Sequence, residues 1–162
     1  VGTGTGRVLV SLLRQPAFRG RAVGLDASAG MLRVARRNLA PHAGRVVLMH
    51  HEASRLPFAG ASFDAVSCVE VLEFTPQPAE TLRELVRVLK PGGILLFTNR
   101  VGGEARYLPG RTFPRHGIRD LLAPLPLEDI MVVPWEVNYD QIWARRRPDE
   151  APAVSDQSAG GT

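Results

Sequence analysis

Val1-Gly2-Thr3-Gly4-Thr5-Gly6-Arg7 opens the chain and decides how the rest is read. Glycines at alternate positions run straight into Val8, Leu9, Leu12 and Leu13, which recur at helical spacing, so the stretch reads as a tight turn feeding a helix. Such a turn is suited to a ligand. Without Cβ atoms the backbone approaches a bound group closely, and the unpaired N–H groups of a helix start attract an anionic or hydroxyl-rich one. The strand expected to lead into the turn would precede Val1, so the chain is expected to start inside the motif.

Working outward, Arg7 to about Gln15 reads as the first helix, stopped by Pro16, and Arg21-Ala22-Val23-Gly24-Leu25 as a short buried strand closing on Asp26. Ser28 to Leu39 is expected to form a second helix, with Met31, Leu32, Ala35 and Leu39 at helical spacing. Arg45 to Met49 and Phe63 to Val69 read as two further strands, with a loop from Ser54 to Ser62 between them. Leu82, Leu85, Val86 and Leu89 give an amphipathic helix stopped by Pro91-Gly92-Gly93, and Ile94 to Thr98 an apolar strand. This alternation predicts an α/β fold: a Rossmann-like three-layer sandwich whose sheet is mainly parallel. Past Asn99 the pattern changes. Val101 to Pro114 reads as a glycine- and proline-rich loop, Arg115 to Ala123 as a short helix, and Ile130–Val133 with Tyr139–Ala144 as an antiparallel hairpin closing one sheet edge. Residues 1–147 are expected to form one domain, and 148–162, small and polar, a disordered tail.

Composition narrows the function classes. The chain has 162 residues and a formal charge of +4, and Lys90 is its one lysine among scattered arginines. No basic stripe interleaved with aromatics appears, which argues against a nucleic-acid partner. No apolar run approaches the ~20 residues of a membrane helix. A single cysteine, Cys68, excludes an internal disulfide, and His42, His50 and His116 lack metal-ligand spacing, so no metal is expected and a reducing cytoplasm is the default.

Two spacings then distinguish the ligand. Dinucleotide turns show G-x-G-x-x-G, whereas this one is G-x-G-x-G followed by Arg7, whose bulk opposes the close helix packing served by the third glycine of the dinucleotide pattern. Asp26 ends the second strand at the place where a carboxylate accepts hydrogen bonds from ribose hydroxyls. A nucleoside site without an obligatory pyrophosphate is the expectation.

These residues, together with Gly24-Leu25-Asp26-Ala27-Ser28, Glu52-Ala53, Leu56-Pro57-Phe58, Phe63-Asp64-Ala65-Val66 and Leu89-Lys90-Pro91-Gly92-Gly93, resemble the class I S-adenosylmethionine-dependent methyltransferases. The likeness is greatest to the small-molecule branch that includes ubiquinone and menaquinone biosynthesis enzymes. It runs from Val1 to about Arg100 and more weakly to Arg145. The resemblance implies that Gly2, Thr3, Gly4 and Gly6 lie under the methionine part of S-adenosylmethionine, that Asp26 grips the ribose with Ala27 beside the adenine, and that Glu52 and Ala53 contact the adenine. It puts Cys68, Val69 and Glu70 at the strand end facing the methyl group and substrate. It also implies a first strand, carrying an acidic residue, ahead of Val1. Phe74 departs from the histidine of many relatives.

Methyl transfer from a sulfonium is an in-line displacement that depends mainly on positioning, with a general base only where the acceptor must lose a proton. Glu70, His51 and Glu73 are the base candidates, in that order, with His51 and Glu73 otherwise read as surface residues. Cys68 reads as a small buried hydrophobe. Tyr107, Phe113, Trp135 and Tyr139 line a substrate cavity or belong to the core, Trp143 is expected in the core, and Arg100, Arg106 and Arg111 read as solvated. Two rivals remain: a non-catalytic binding relative of the fold, and an NAD(P)-dependent oxidoreductase, the latter opposed by Arg7 and the lack of a Tyr-x-x-x-Lys pair.

Overall fold

The computed structural model describes residues 1–149. Strands β1 (Ala22–Asp26) and β2 (Val46–His50) pair in parallel, and β3 (Phe63–Cys68) pairs in parallel with β4 (Leu89–Arg100). Helix α1 (Arg7–Arg14) precedes β1, α2 (Ala29–Asn38) links β1 to β2, and α3 (Pro78–Val88) links β3 to β4. Each crossover returns the chain to the same sheet direction, as parallel pairing requires. The α/β architecture is the one expected, with both crossover pairings parallel and the C-terminal hairpin joining antiparallel.

Local chemistry explains the element ends. Ser28 caps α2, its hydroxyl accepting from the Met31 N–H at 3.2 Å. Gly6, at φ 84°, turns the chain into α1, where L side chains are strained. Pro78 starts α3, its fixed φ suiting a first helical turn.

Two apolar clusters hold the layers. Leu9 and Leu13 of α1 meet Ala35 and Leu39 on one side of β1 and β2. The larger core joins Leu25, Val66, Cys68, Leu82, Leu85, Leu95, Phe97 and Ile142. Fully burying one such aliphatic side chain is worth about 1.5–3 kcal/mol.

The C-terminal half refines the expectations. Lys90-Pro91-Gly92-Gly93 does not interrupt β4 but forms an irregularity inside it: Phe63 pairs with Leu89 and Ala65 with Ile94, so the extra residues bulge, with Gly92 at φ 76°. The hairpin is longer than expected. β5 (Leu127–Trp135) and β6 (Tyr139–Arg146) pair antiparallel, and a register shift between Glu128 and Met131, with Asp129 at φ 52°, lets β5 begin earlier. β6 lies beside β4, giving the order β3-β4-β6-β5, so β5 takes the outer edge.

The segment after β4 is pinned rather than loose. The Val101 N–H donates to the Asn138 carbonyl at 2.8 Å. Further along, Asn99 Nδ2 donates to the Phe113 carbonyl at 2.7 Å, and the Phe113 N–H returns to Asn99 Oδ1 at 3.1 Å. Arg115 then grips the buried Asp140 through both carboxylate oxygens at 2.6 and 2.7 Å. A single turn at Gly103–Tyr107 and the short helix α4 (Ile118–Leu122) complete this segment.

β1 and β3 are not hydrogen-bonded to each other. Between them runs an apolar slot, a cavity of about 440 Å³ walled by Val23 and Leu25 on one side and Ala65 and Ser67 on the other. This is the position at which a strand leading into Val1 was expected. Of the expected tail, Pro148 and Asp149 have no regular structure, and the remainder lies outside the described residues. Among the described residues no helix is long and apolar enough to cross a membrane.

Candidate functional site

The glycine turn is built from the inside out. Gly2, Gly4 and Gly6 all have positive φ, 62°, 52° and 84°, a backbone that L side chains seldom adopt. The Gly6 N–H closes on the Thr3 carbonyl at 2.8 Å, and the Thr3 N–H reaches the Leu25 carbonyl at 2.9 Å, which anchors the turn to β1. A Cβ on Gly2 would lie 2.0 Å from Val71, so Gly2 serves close packing. Above Gly4 the space is open, with no atom within 4 Å of a would-be Cβ.

Asp26, at the C-terminal end of β1, ties this turn to the start of α2. Its Oδ2 accepts from the Gly4 N–H at 2.7 Å and its Oδ1 from the Ser28 N–H at 2.8 Å. A carboxylate has about four lone-pair sites, so each oxygen can still accept one more bond. Ala27 is exposed, and its carbonyl contacts His50 Nε2 at 2.8 Å, which holds the end of β2 beside it. The His51 N–H bonds the Asp26 carbonyl at 3.0 Å, so Glu52 and Ala53 leave β2 next to the Asp26 end of β1. The expected ring of Gly4, Asp26, Ala27, Glu52 and Ala53 therefore gathers at the C-terminal ends of neighbouring parallel strands, the place where open α/β sheets bind ligands.

Cys68 and Glu70 differ in character. The Cys68 side chain is fully buried in the core, and burial pushes its thiol up to about 11. Only the backbone of Cys68 belongs to the strand end. Glu70 is exposed and sits at φ 55°, while its N–H donates to Thr98 Oγ1 at 2.7 Å. A non-glycine residue in this conformation is strained by about 1–3 kcal/mol and persists only where its surroundings hold it. Here Thr98 of β4 supplies that hold.

Glu73, expected to be solvated, is 1% exposed. The short turn Leu72–Phe74 aims it inward and leaves Phe74 outside. Tyr139 of β6 donates to Glu73 Oε1 at 2.7 Å, and Arg100 Nη2 donates to the Tyr139 hydroxyl at 2.6 Å. Arg100 Nε lies 3.4 Å from the same carboxylate oxygen, and its guanidinium stacks 4.8 Å from the Tyr139 ring. Arg100 thus belongs to a part-buried network, not to the solvated surface. Burial first, then the bond to Glu73, raises the Tyr139 phenol above its ordinary range.

The other aromatics divide. Tyr107 is exposed with Arg106 stacked on it at 4.7 Å, Phe113 packs against the main core, and Trp135 leans on Tyr139 at 6.0 Å. Trp143, expected in the core, is only half-buried and lines the slot. Sequence reading missed the Glu73–Tyr139–Arg100 network and the Arg115–Asp140 pair, which join residues up to 66 positions apart.

The comparisons agree with this geometry. The model of the methyltransferase-domain family matches residues 1–97. The chain is 44% identical over 92 residues to a demethylmenaquinone methyltransferase of Clavibacter sepedonicus, covering 57% of this chain and 35% of that protein. It is 36% identical over 95 residues to a ubiquinone/menaquinone biosynthesis C-methyltransferase of Geobacter sulfurreducens, covering 57% and 37%. The chain thus spans little more than a third of the length of these curated relatives. Among solved structures, a SAM-dependent methyltransferase from Aquifex aeolicus superposes with a TM-score of 0.73 at 19% identity, over 90% of this chain and 79% of that one. That likeness shows the shared Rossmann-like fold. With its glycine turn, its Asp26 and its strand order in place, and with the family model matched over well over half its length, this chain belongs to the methyltransferase-domain family.

Proposed function

We propose that residues 1–147 form the domain of an S-adenosylmethionine-dependent methyltransferase acting on a small molecule. The observation that carries this reading is Asp26, which braces the glycine turn through Gly4 and keeps one acceptor site on each oxygen for a vicinal diol. The open space over Gly4 suits a ligand lying against bare backbone. The residues present therefore fit the cofactor.

When bound, S-adenosylmethionine supplies an electrophilic methyl group on a sulfonium centre. Asp26 would hold the ribose, the Gly2–Gly6 backbone would lie under the methionine part, and Glu52 with Ala53 would border the base. Glu70, exposed at the end of β3 and fixed by Thr98, is placed to take a proton from an acidic hydroxyl or ring carbon of the acceptor. The segment from Val101 to Phe113 leaves the C-terminal end of β4 and is fastened there through Asn99 and Asn138. Most of the rate enhancement then comes from holding the reactants in line. The curated relatives are named for menaquinone and ubiquinone biosynthesis, so demethylmenaquinone is the first acceptor to assay.

The test is calorimetric titration of S-adenosylhomocysteine into the 162-residue chain and into Asp26→Asn, with NAD as comparison. Selective binding by the wild-type chain, weakened at least tenfold in Asp26→Asn, is expected. A folded chain that binds neither ligand, or binds both alike, overturns the reading.

A further inference from the structure

The segment that leaves β3, residues 69–74, is fastened to three different parts of the site. The Glu70 N–H donates to Thr98 Oγ1 at 2.7 Å, which ties it to the end of β4. Val71 packs against the glycine turn: a Cβ on Gly2 would lie 2.0 and 2.8 Å from its two methyl carbons, so its side chain fills the space that the bare Gly2 leaves. Glu73, 1% exposed, is tied to β4 and β6 together, its Oε1 accepting from the Tyr139 hydroxyl at 2.7 Å with Arg100 Nε 3.4 Å away.

The last of these ties differs from the others in kind. A carboxylate in the interior is costly unless it is paired, so Glu73 stays inside only while its partners hold it. That hold passes through one atom, Oε1, since Oε2 has no partner among the described residues. Hydrogen bonds fix distance and direction where apolar contacts fix neither, so the network sets where residue 73 lies. A tight turn carries that placement back along the chain: the Phe74 N–H donates to the Val71 carbonyl at 2.9 Å and the Thr75 N–H to the Leu72 carbonyl at 3.1 Å.

We propose that Glu73 is a positioning residue for methyl transfer. Anchored by Tyr139 and Arg100, it holds Val71 against Gly2 and Glu70 at the end of β3, and so keeps β4 and β6 in register with the turn that lies under the cofactor. It acts through Glu70 and Val71, not on the reacting atoms. The inference rests on the methyltransferase reading given above. Linkage makes the coupling reciprocal: what loosens the anchor weakens the cofactor's hold, and bound cofactor steadies the anchor by the same factor.

Tyr139→Phe loosens the anchor while leaving Gly2, Asp26 and Glu70 unchanged. Leu127→Ala, at the opposite end of the same strand pair, is the control for lost stability alone. Calorimetric titration of S-adenosylhomocysteine is made at a temperature where circular dichroism shows every protein fully folded. Tyr139→Phe is expected to bind about fivefold or more weakly than the parent, and Leu127→Ala to bind as the parent does. Arg100→Lys, which leaves the Tyr139 bond to Glu73 in place, serves where Tyr139→Phe does not fold, with the same direction of change expected. Val71→Ala should also weaken binding, and adding Tyr139→Phe to it should cost less than in the parent, because both act through one contact. Parent-like binding by the folded anchor variants, an equal loss in Leu127→Ala, or full additivity with Val71→Ala overturns the proposal and leaves the methyltransferase reading standing. A folded parent that does not bind the ligand overturns both.

Discussion

Removing one oxygen atom from Tyr139 should destabilise the protein far more than a surface change does. In Tyr139→Phe the ring and its packing remain, but Glu73 loses its 2.7 Å donor and Arg100 loses a 2.6 Å acceptor. Glu73 is 1% exposed and its Oε2 already lacks a partner, so water does not replace the lost bond. What is left to Glu73 is the 3.4 Å approach of Arg100 Nε. Hydrogen bonds to charged groups contribute about 1.5–3 kcal/mol, and a stranded buried acceptor costs at least as much. A loss of about 2–3 kcal/mol follows, or a fall of about 4–12 °C in Tm for a domain of this size.

Urea unfolding followed by circular dichroism measures the loss, and a cycle with Glu73→Gln isolates the pair, with an expected coupling of about 1–2 kcal/mol. The same group predicts an alkaline limb. The Tyr139 phenol is raised in the folded state, so the folded protein holds that proton more tightly than the unfolded chain. Its contribution is complete below the ordinary tyrosine value of about 10 and is lost as pH rises above it. Tyr139→Phe should flatten this limb. A variant within about 0.5 kcal/mol of the parent, the range of an ordinary surface substitution, with an unchanged limb, would refute the reasoning.

Cys68, raised to about 11 by burial, gives a second alkaline effect that sets in earlier: stability is complete below its ordinary value of 9.0 and declines as pH rises towards 11. Cys68→Ala should remove that decline in urea titrations, and the native thiol should resist a disulfide reagent. Glu84 accepts from the Leu56 N–H at 2.7 Å and from Arg87 at 2.6 and 2.8 Å, while Arg87 also donates to the Leu56 and Phe58 carbonyls. The Arg87 bond holds the Glu84 carboxyl below its ordinary range, so its contribution is present above about pH 4.3 and is lost as pH falls through the folded value. Glu84→Gln should flatten the acid limb and raise proteolytic cutting in the 54–58 loop. Gly2→Ala and Gly4→Ala share an unfavourable positive φ, but only the first drives a methyl group into Val71; equilibrium unfolding should show Gly2→Ala the more damaging, and ligand titration should show Gly4→Ala impairing binding.

The parallel half was legible because its signals are local. A glycine turn before an apolar helical repeat, a short aliphatic run ending in Asp26, and a serine before a periodic stretch each encode an element within a few residues. The site residues around Asp26 followed from the same logic, since the ends of parallel strands come together once the alternation is recognised. The reading weakened where partners lie far apart. Glu73 looked solvated because a carboxylate after a strand usually is; its burial depends on Tyr139 and Arg100, which arrive with β4 and β6. Proline and glycine end helices, so Pro91–Gly93 reads as a stop, and only the pairing of β3 with β4 shows the strand running through it. Trp143 shares the strand face of Tyr139, yet it is half-buried while Ile142 and Ala144 of the other face are buried.

The double bond between Asn99 and Phe113 bears on how this scaffold diversifies. A side-chain amide that donates to and accepts from one distant residue imitates a rung of a sheet, so the two ends of the intervening stretch are fastened whatever lies between them. The stretch behaves as a cassette. A change in its length or composition is therefore expected to leave the register of β4 against β6 unshifted.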